Sequence, residues 1–514
     1  MKQLVSFEDS KNLDKAMLVE PYNMSGSELM ESASRGIVSA MLEVLRELQN
    51  KDIHILILAG NGNNGMDALT IARYFLFAGY TNLSVLVHNK IFMQAESKIS
   101  QVRGICKAIF TFENTSPADL KGFSLIVDGL LGTGADRPIE NFNFIDMLLK
   151  YNPEAQVVSI DIPSGIFEAA VSPIAGNSFG NIVPADHTFS ILPLKYQCFL
   201  PGFRKYCGII HEIPLVFPLE EVASVTAEKN RVQLLEHDDL IKFVPALRPT
   251  VHKYERGSVL IYSGSIGSTG APLLAAKSSI SSGAGLVTLR VPEQVYTLIA
   301  GALTGIIIEP DTVSNKRNFN AALCGPGWEV HDSNKNILQE LWAGGLPLVV
   351  DASALHLITS DFLEDTPTSS EKKIVCTPHI GEMSKMLVTL DMAQTYEDAL
   401  RMVSYETGRI AGKLAKRLGA VVLVKAACTW IASPSGNMYV YDGCEPGLAV
   451  GGSGDVLAGI VVSLLSRGAS AEQAACAAVL AHGMAGKKLA SDSGFFDASE
   501  LIDKLSLLMY GASV

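Results

Sequence analysis

The residues of this chain that most clearly point to chemistry are the run Gly451-Gly452-Ser453-Gly454-Asp455, which leads directly into an apolar helical stretch, Val456 to Val462. A glycine-rich turn at a helix start presents unhindered backbone N–H groups, and the helix dipole adds partial positive charge, so phosphate is the expected ligand. A carboxylate facing phosphate costs electrostatic energy, so we interpret Asp455 as a general base at a phosphoryl-transfer centre. The alternative is an ordinary acidic residue in the first turn of a helix.

A second glycine-rich turn follows a strand predicted over His54 to Ala59. Residues 60 to 65 satisfy the spacing G-x-G-x-x-G, and we expect a helix from about Ala68, an arrangement typical of a pyrophosphate site. A dehydrogenase would carry an acid at the end of the second strand, but that strand ends at His88-Asn89-Lys90, which argues against ordinary hydride chemistry. The alternative is a tight loop ordered by Asx-type hydrogen bonds of Asn63, Asn64 and Asp67.

Two further strand ends in this half of the chain carry polar residues. Asp128 precedes the segment 129–137, and Asp161 precedes Ile162-Pro163-Ser164-Gly165. Because the carboxyl ends of parallel strands line the ligand crevice, we expect these side chains to converge with the Asn63-Asn64 turn. Oxygen ligands with little charge suit a hard, weakly charged cation, while Arg137 and the glycines suit phosphate. For either aspartate alone, capping of the next helix is the alternative.

The Asn-Asn-Gly-x-Asp turn, the Asp-x-Leu-x-Gly-Thr-Gly segment from Asp128 and the Asp-Ile-Pro-Ser-Gly segment from Asp161 resemble an NAD(P)H-hydrate epimerase domain, over about residues 10 to 215. The resemblance implies a Rossmann-like three-layer α/β fold, a K⁺ ion held by Asn64, Asp128 and Ser164, and Asp161 as the catalytic acid or base at carbon 6 of the hydrated nicotinamide ring. Lys195 also resembles a lysine of that family, with a solvated lysine as the alternative. The implied substrate contacts are Asn63, Asn64, Gly65, Met66, Asp67, Gly132, Thr133, Gly134, Ala135, Asp136, Arg137 and Asp161.

The second half of the chain contains more strand-end motifs. A strand predicted over Ser258 to Ser263 precedes the glycine-rich turn 264–272, and no G-K-[ST] occurs anywhere, which excludes a P-loop. We expect five chain segments to face one crevice. His379, alone most often a surface or core histidine, is interpreted here as a contact to ligand or to a metal-bound water. The later segments are Gly325-Pro326-Gly327, Asp351 to Leu355, Thr377 to Glu382 and Lys425 to Thr429.

Together with residues 451–455, these segments resemble a ribokinase-like dehydratase of hydrated NAD(P)H that uses ADP or ATP, over about residues 235 to 510. The resemblance implies a second three-layer α/β domain and Mg²⁺ carried with the nucleotide, for which we expect ADP, since fused bacterial chains resemble ADP users. It implies hydrate contacts at Ala271, Gly327, His379 and Asp455. The implied nucleotide contacts are Lys425, Ala426, Ala427, Cys428, Thr429 and Gly454.

The function expected from both resemblances is repair of hydrated NADH and NADPH. The first domain would interconvert the R and S epimers, and the second would dehydrate the S epimer to NAD(P)H with release of AMP and phosphate. An epimerase on the same chain would let both epimers be repaired. The alternatives are a ribokinase-like vitamin or sugar kinase fused to a nucleotide-binding domain, and a nucleotide-binding scaffold without catalysis.

Strands alternate with helical stretches along all 514 residues, which predicts α/β layers with mainly parallel sheets. The charged stretch from about Pro218 to Asp239 lacks strand character and is the best candidate for a linker. We therefore predict an epimerase domain over residues 1–228 and a dehydratase domain over residues 229–514.

The composition indicates which classes of partner the protein binds and in which cellular compartment it lies. The formal charge of −12 opposes binding to nucleic acid or anionic membranes and so favours small-molecule partners. The resemblances imply that these are NAD(P)HX and ADP or ATP, and we also expect a homo-oligomer. Eight cysteines without Cys-x-x-Cys pairs or zinc spacing suit a reducing cytosol and predict no zinc-type site. Without a secretory signal or an apolar run of membrane-spanning length, we expect a soluble, cytoplasmic protein.

Overall fold

The chain divides into two compact units, residues 3–229 and residues 1–2 with 230–514, each of which is described by itself. The structure is a computed structural model, and it describes residues 1–88, 96–103, 106–111, 115–135, 139, 142–167, 182–215, 217–226, 232–313, 317–366 and 373–514.

The unit 3–229 is built on a parallel sheet of seven strands in the order β4-β3-β2-β5-β6-β7-β8. The central strand β2, Ile55–Ala59, is completely buried because it is apolar on both faces. Its side chains alternate between two cores, with Ile57 on one face of the sheet and Leu58 on the other. The other strands are β3 Leu83–Val87, β4 Ala108–Thr111, β5 Leu125–Gly129, β6 Gln156–Ile160, β7 His187–Ile191 and β8 Ile209–Ile213, and β1, Lys2–Leu4, precedes them all.

Helices cover both faces of this sheet, so the predicted three-layer arrangement is confirmed. Helices Gly26–Val44 and Asn63–Phe77 contribute to the core that contains Ile57, and helix Phe142–Tyr151 contributes to the core that contains Leu58. The remaining described helices of the unit are Phe7–Met17, Glu96–Val102, Pro201–Arg204 and Leu219–Thr226, with 3₁₀ turns at Arg46–Gln49, Pro117–Leu120 and Tyr196–Phe199.

From residue 230 onward, the described part of the chain contributes ten strands to a second sheet, in the order β9-β18-β17-β16-β15-β14-β13-β10-β11-β12. All neighbours from β16 to β12 run parallel, whereas β17 is antiparallel to both β16 and β18. The prediction of mainly parallel sheets is confirmed. The antiparallel pairing of β17 with its two neighbours was not predicted. The strands are β9 Val232–Leu234, β10 Ser258–Tyr262, β11 Leu286–Val291, β12 Ile307–Pro310, β13 Ala321–Cys324, β14 Leu348–Val350, β15 Ile374–Cys376, β16 Val421–Val424, β17 Cys428–Ala432 and β18 Met438–Asp442.

This second sheet is also covered on both faces. Val421 and Leu423 join a core shared with helices Ser453–Ser466 and Ala471–Ser493, while helix Thr407–Leu418 packs against β16 and β17 outside that core. Among the described residues, no helix is both long and apolar enough to cross a membrane. The other helices are Leu240–Phe243, Gly270–Ser281, Glu293–Ile299, Asp332–Ala343, Ser360–Asp365, Ile380–Thr389, Tyr396–Tyr405 and Ala498–Gly511, with 3₁₀ turns at His237–Asp239, Ala352–Leu357 and Pro446–Leu448.

The glycine-rich turn after β2 is shorter than expected. The helix begins at Asn63, with Gly62 as its N-cap, rather than near Ala68, so residues 63–67 form its first turn and not a loop. The early start is sterically allowed because residue 65 is glycine: a β-carbon there would lie 2.0 Å from the carbonyl oxygen of Gly60.

One other expectation about local structure was wrong. The charged stretch 218–239 does contain a strand, β9, in which Val232 and Leu234 are buried on either side of Gln233. Three residues are too few to give a recognisable alternation. Within the segment expected after strand β16, Cys428 and Thr429 already belong to β17, because the chain turns back in a hairpin at Ala426-Ala427.

The close backbone approach at Gly60 gives a direct test of this packing. A β-carbon at Gly60 would lie 1.6 Å from the carbonyl oxygen of Leu130, so Gly60→Ala must displace backbone, an overpacking that typically costs about 1–3 kcal/mol. Gly26→Ala is the matched control, since nothing lies within 4 Å of its β-carbon. We expect faster peptide-resolved hydrogen exchange over residues 55–77 in Gly60→Ala only. Equal exchange in both variants would contradict this packing.

Candidate active sites

Asp128 is fully buried near the end of β5 and connects two strand ends. Its Oδ1 accepts hydrogen bonds from the Ser164 hydroxyl at 2.6 Å and the Leu130 amide at 3.2 Å, and its Oδ2 accepts from the Ser164 amide at 2.8 Å and the Ser159 hydroxyl at 3.0 Å. Burial raises the pKa of the Asp128 carboxyl, and the bonds from Ser164 oppose that rise. The bond from Leu130 is the local turn contact that a capping role predicts, but the other three reach β6 and the segment after it.

Asn64 and Ser164 meet at the backbone carbonyl of Leu131. The Asn64 side-chain amide donates to this oxygen at 2.9 Å, and the Ser164 hydroxyl lies 3.1 Å from it. Asn64, Asp128 and Ser164, predicted as cation ligands, are therefore brought together, and all three offer oxygen atoms. Among the described residues, the contacts of the Asp128 carboxylate come from hydroxyl and amide groups, so its charge has no cationic partner there. This donor set suits a large, weakly charged cation.

Asp161 follows β6 in a left-handed backbone conformation, with φ of 65°, which is uncommon for a residue other than glycine. Its Oδ1 accepts from Lys195 Nζ at 2.6 Å and from the Ile191 amide at 3.0 Å, and Ser190 lies at 3.5 Å from the same oxygen. Lys195 is 2% exposed, so the alternative of a solvated lysine is wrong. Within the described residues these three contacts all fall on Oδ1.

The two segments predicted to contact substrate in this unit lie against each other. A β-carbon at Gly132 would lie 3.1 Å from Cβ of Asn64, and Ala135 closes a turn by donating from its amide to the Gly132 carbonyl at 2.9 Å. Met66 is partly buried against the hydrophobic core, so its side chain points inward. Asn63 and Gly134 are exposed, whereas Gly65 is buried and Asp67 and Thr133 are intermediate; Asp136 and Arg137 lie outside the described residues.

In the second unit, the expected strand-end segments meet at one edge of the sheet. The amide of Gly264 donates to the Pro326 carbonyl at 2.9 Å, and the Lys425 amide donates to the Pro378 carbonyl at 2.8 Å. Gly325, with φ of 115°, permits a close approach, because a β-carbon there would lie 1.8 Å from the Asp351 carbonyl oxygen. Gly327 similarly packs against Ala271, with 3.1 Å between its β-carbon position and Cβ of Ala271.

One lysine lies among three carboxylates at this edge. Lys425 Nζ donates to Asp351 Oδ1 at 2.6 Å and lies 3.9 Å from Glu382 Oε2, and the Thr377 hydroxyl also donates to Asp351 Oδ1, at 2.7 Å. Burial alone would lower the pKa of Lys425, but Asp351 and Glu382 raise it above its usual value. With Asp455 ionised, three carboxylates against one ammonium leave an excess of negative charge.

Asp455 occupies the first turn of helix Ser453–Ser466, whose N-cap, Gly452, has a left-handed φ of 91°. Burial, together with the nearby carboxylates of Asp351 and Glu382, raises the pKa of Asp455 to about 6, and Lys425 opposes that rise. A β-carbon at Gly454 would lie 3.5 Å from Lys425 Nζ, so the turn and the lysine are adjacent. The Ser453 amide is already bonded to the Val450 carbonyl at 3.3 Å, whereas Gly454 and Asp455 hold the second and third helical positions, whose amides have no intrahelical acceptor.

His379 caps helix Ile380–Thr389, a role that the sequence did not suggest. Its Nδ1 accepts from the amides of Gly381 at 3.0 Å and Glu382 at 3.2 Å, and the Glu382 carboxylate accepts from the His379 amide at 2.8 Å. Because Nδ1 is an acceptor, the proton of the neutral ring is assigned to Nε2. The side chain is 58% exposed, and its Nε2 lies 3.6 Å from Glu382 Oε1.

The segment 425–429, predicted to contact the nucleotide, is only partly exposed to solvent. Ala426 and Ala427 form the hairpin turn, with Ala427 exposed, and the Thr429 hydroxyl donates to the Ala426 carbonyl at 3.1 Å. Cys428 is buried, and its thiol donates to the Asp442 carboxylate at 3.2 Å. Across the sequence, the structure brings Gly454 next to this segment, because a β-carbon at Gly454 would lie 3.5 Å from Lys425 Nζ.

Sequence analysis did not single out three residues that the structure connects to Asp455 and Lys425. Asp351 and Glu382 lie in segments that had been noticed, but their pairing with Lys425 depends on the order of strands β14, β15 and β16. His482 donates from Nε2 to the Ser453 carbonyl at 3.0 Å and thereby braces the glycine-rich turn from another helix. No local sequence signal marks His482, because its partner is 29 residues away.

Known families and relatives match both units. The family described as YjeF-related protein N-terminus matches residues 26–196, and the family described as NAD(P)H-hydrate dehydratase matches residues 259–507. The bifunctional NAD(P)H-hydrate repair enzyme of Moorella thermoacetica is 30% identical over 98% of this chain and 96% of that protein. The enzyme of the same name from Dictyoglomus turgidum is 29% identical over 98% of both.

Among solved structures, the ADP/ATP-dependent NAD(P)H-hydrate dehydratase of Bacillus subtilis, co-crystallised with ATP and Mg²⁺, is 24% identical, with a TM-score of 0.48 over 55% of this chain and 99% of that chain. The match to the Moorella protein extends over nearly all of both sequences and covers both units. The chain therefore belongs to the bifunctional NAD(P)H-hydrate repair enzymes.

Proposed function

We propose that residues 1–228 interconvert the R and S epimers of hydrated NADH and NADPH, and that residues 229–514 dehydrate the S epimer with ADP to give NAD(P)H, AMP and phosphate. The observation that carries the second activity is the position of Asp455, a carboxylate with raised pKa in a glycine-rich helix start beside Lys425. Family membership favours this dehydratase over a vitamin or sugar kinase.

Dehydration begins with a poor leaving group, the hydroxyl on carbon 6 of the reduced ring. Asp455 takes the hydroxyl proton as the oxygen attacks the terminal phosphoryl group of ADP, and AMP leaves. The amides of Gly454 and Asp455, together with Lys425, stabilise the charge on the transferred group. The ring nitrogen then expels phosphate, and loss of a proton from the adjacent carbon restores the double bond. Ala271, Gly327 and His379 are proposed to position the hydrate.

The charges of this site fit Mg²⁺ brought by the nucleotide. Asp351, Glu382 and Asp455 supply more negative charge than Lys425 balances, which would repel ADP alone. Among the described residues, these three carboxylates are not close enough to hold one ion between them. Mg²⁺ commonly uses one or two carboxylates together with phosphate oxygens, and it would screen the phosphates from this excess charge.

Epimerisation requires the bond from carbon 6 to oxygen to break and to re-form on the other face of the ring. We assign Asp161 Oδ2 to donate a proton to the departing hydroxyl and to take one back from the water that adds. Lys195 holds Oδ1 at 2.6 Å and thereby fixes the direction of Oδ2. The turn 63–67, the segment 132–137 and the amides near them are proposed to bind the pyrophosphate.

K⁺ is proposed to lie between Asn64, Asp128 and Ser164 in the epimerase unit. Their oxygens carry a single negative charge in total, and K⁺ accepts such a set more readily than Mg²⁺, which demands closer octahedral ligands. A cation here would offset the buried charge of Asp128 and attract the substrate phosphates.

The role of Asp455 predicts a specific loss of dehydration. Asp455→Asn keeps the shape of the side chain but removes the base, a loss of about 10²–10⁴-fold in rate. We expect NADH recovery and phosphate release to fall together, while calorimetry still detects ADP binding and epimerisation is unchanged. Asp503→Asn, an exposed carboxylate on the same unit, is the control. A variant at position 455 that keeps half of the wild-type rate would eliminate Asp455 as the base.

Because the pKa of Asp455 is raised, both the dehydration rate and the stability of the fold should depend on pH. The wild-type rate should fall below about pH 6, because the protonated carboxyl cannot act as a base. The folded state favours the protonated form, so ionisation costs stability as the pH rises from about 4 through about 6. Asp455→Asn should therefore melt at a higher temperature than wild type at pH 8, and the difference should shrink towards pH 4. A lower melting temperature of the variant at pH 8 would contradict the raised pKa.

The proposed K⁺ site can be tested with two serines that both contact Asp128. Ser164→Ala removes a proposed ligand, whereas Ser159→Ala removes a hydrogen bond to Asp128 and no proposed ligand. We expect wild type and Ser159→Ala to respond to K⁺ in epimerase rate and melting temperature, and Ser164→Ala to respond only at higher concentration. The measurement is a K⁺ titration against choline at constant ionic strength. A wild-type rate and stability indifferent to K⁺ would refute the site.

A further inference from the structure

Two cysteines converge on one carboxylate, and one of them, Cys428, belongs to the segment proposed to contact the nucleotide. Cys428 in β17 donates to Asp442 Oδ1 at 3.2 Å, and Cys444 donates to the same oxygen at 2.9 Å. Cys428 and Asp442 are paired across the antiparallel strands β17 and β18, and Cys444 follows directly after β18. The amides of Gly443 and Cys444 both donate to the Ala427 carbonyl, at 3.0 and 3.1 Å, which fixes the chain after β18 over the hairpin turn.

The spacing of these three groups matches that of ligands around a tetrahedral divalent cation. The two sulfur atoms and a carboxylate oxygen all lie within 4.8 Å of one another. Bonds of about 2.3 Å to sulfur and about 2.0 Å to oxygen place ligand atoms about 3.5–3.8 Å apart around zinc. The two sulfur-to-oxygen distances are slightly shorter than this, so small side-chain rotations would make room for an ion.

We propose that Cys428, Asp442 and Cys444 form a binding site for a thiophilic divalent cation of the Zn²⁺ type. Binding forms two metal–sulfur bonds and one metal–oxygen bond, and the two thiol protons leave to solvent. Cys444 is exposed and Cys428 is buried, so the ion enters from the Cys444 side and keeps a fourth position for water. Lys487 donates to the Asp442 backbone carbonyl at 3.4 Å.

The site lies at one end of the hairpin whose turn contains Ala426 and Ala427. A bound ion would join the start of β17 to the end of β18 and hold this turn in place. Asp455 and Lys425 are not among the site's three ligands. Its existence does not rest on the proposed function, because it depends only on the geometry of Cys428, Asp442 and Cys444.

The test uses the full chain, stripped of metal and kept reduced with a phosphine. Co²⁺ is added as the spectroscopic probe, followed by Zn²⁺. We expect one equivalent of Co²⁺ to give thiolate-to-cobalt charge-transfer absorption in the near ultraviolet, which one equivalent of Zn²⁺ removes. Cys444→Ser should abolish this absorption and weaken Zn²⁺ binding at least about 10-fold, because even changes outside the first coordination shell often cost this much.

Cys106→Ser is the matched control, because Cys106 is a half-buried thiol of the other unit. It should keep both the absorption and the Zn²⁺ affinity, and Cys444→Ser should keep the melting temperature of the metal-free wild type, since its side chain is exposed. Absence of the absorption in wild type, its retention in Cys444→Ser, or its equal loss in Cys106→Ser would each overturn the site.

Discussion

The ion pair between Lys425 and Asp351 is the interaction on which the dehydratase site depends. Lys425 lies at the end of β16, and the 2.6 Å bond from its ammonium to Asp351 joins it to the end of β14, two strands away in the sheet. The same ammonium is close to Glu382 and to the helix start that carries Asp455. Removing it would leave buried carboxylates without compensation, a loss that typically costs several kcal/mol.

The epimerase unit uses the same physical arrangement on a different sheet. A buried lysine, Lys195, bonds one oxygen of Asp161 at 2.6 Å, again at the carboxyl end of a parallel strand. The aspartate precedes its lysine by 34 residues in the first unit and by 74 residues in the second. In each unit the lysine balances one aspartate and fixes its direction. The catalytic group proposed differs: in the first unit it is the paired aspartate itself, and in the second it is Asp455, whose raised pKa keeps its ionisation near pH 6.

The sequence predicted the parts of this fold that depend on local pattern. The two strands predicted over His54 to Ala59 and Ser258 to Ser263 are present within one residue of their expected ends, as Ile55–Ala59 and Ser258–Tyr262. The glycine-rich turns were recognised because close backbone approach requires glycine, as at Gly60 and Gly325. Strand β9 and the early start of the helix at Asn63 were missed, since three residues give no periodicity and asparagines do not usually begin a helix at its first position.

The contacts that the sequence did not reveal are long-range. The pairing of Lys425 with Asp351 follows from strand order, and the convergence of Cys428 with Cys444 follows from the pairing of two antiparallel strands. The hydrogen bond from His482 to Ser453 depends on the packing of two helices. The spacing of the cysteines matches no known metal motif, which is why the sequence predicted no zinc-type site, whereas an antiparallel pair of strands brings residues 428 and 442 opposite each other. The sequence showed which side chains could do chemistry. Their partners could be identified only from the three-dimensional arrangement of strands and helices.

The central claim is that one chain contains two complete and chemically distinct sites. The most direct measurement is the recovery of NADH absorbance when Asp161→Asn and wild type are each given ADP and an equal mixture of the two NADH-hydrate epimers. We expect wild type to recover all of the cofactor in one continuous reaction. Asp161→Asn should dehydrate the S epimer at the wild-type rate and then stop near half recovery. Full recovery by the variant at the wild-type rate, or loss of the first phase, would contradict the account.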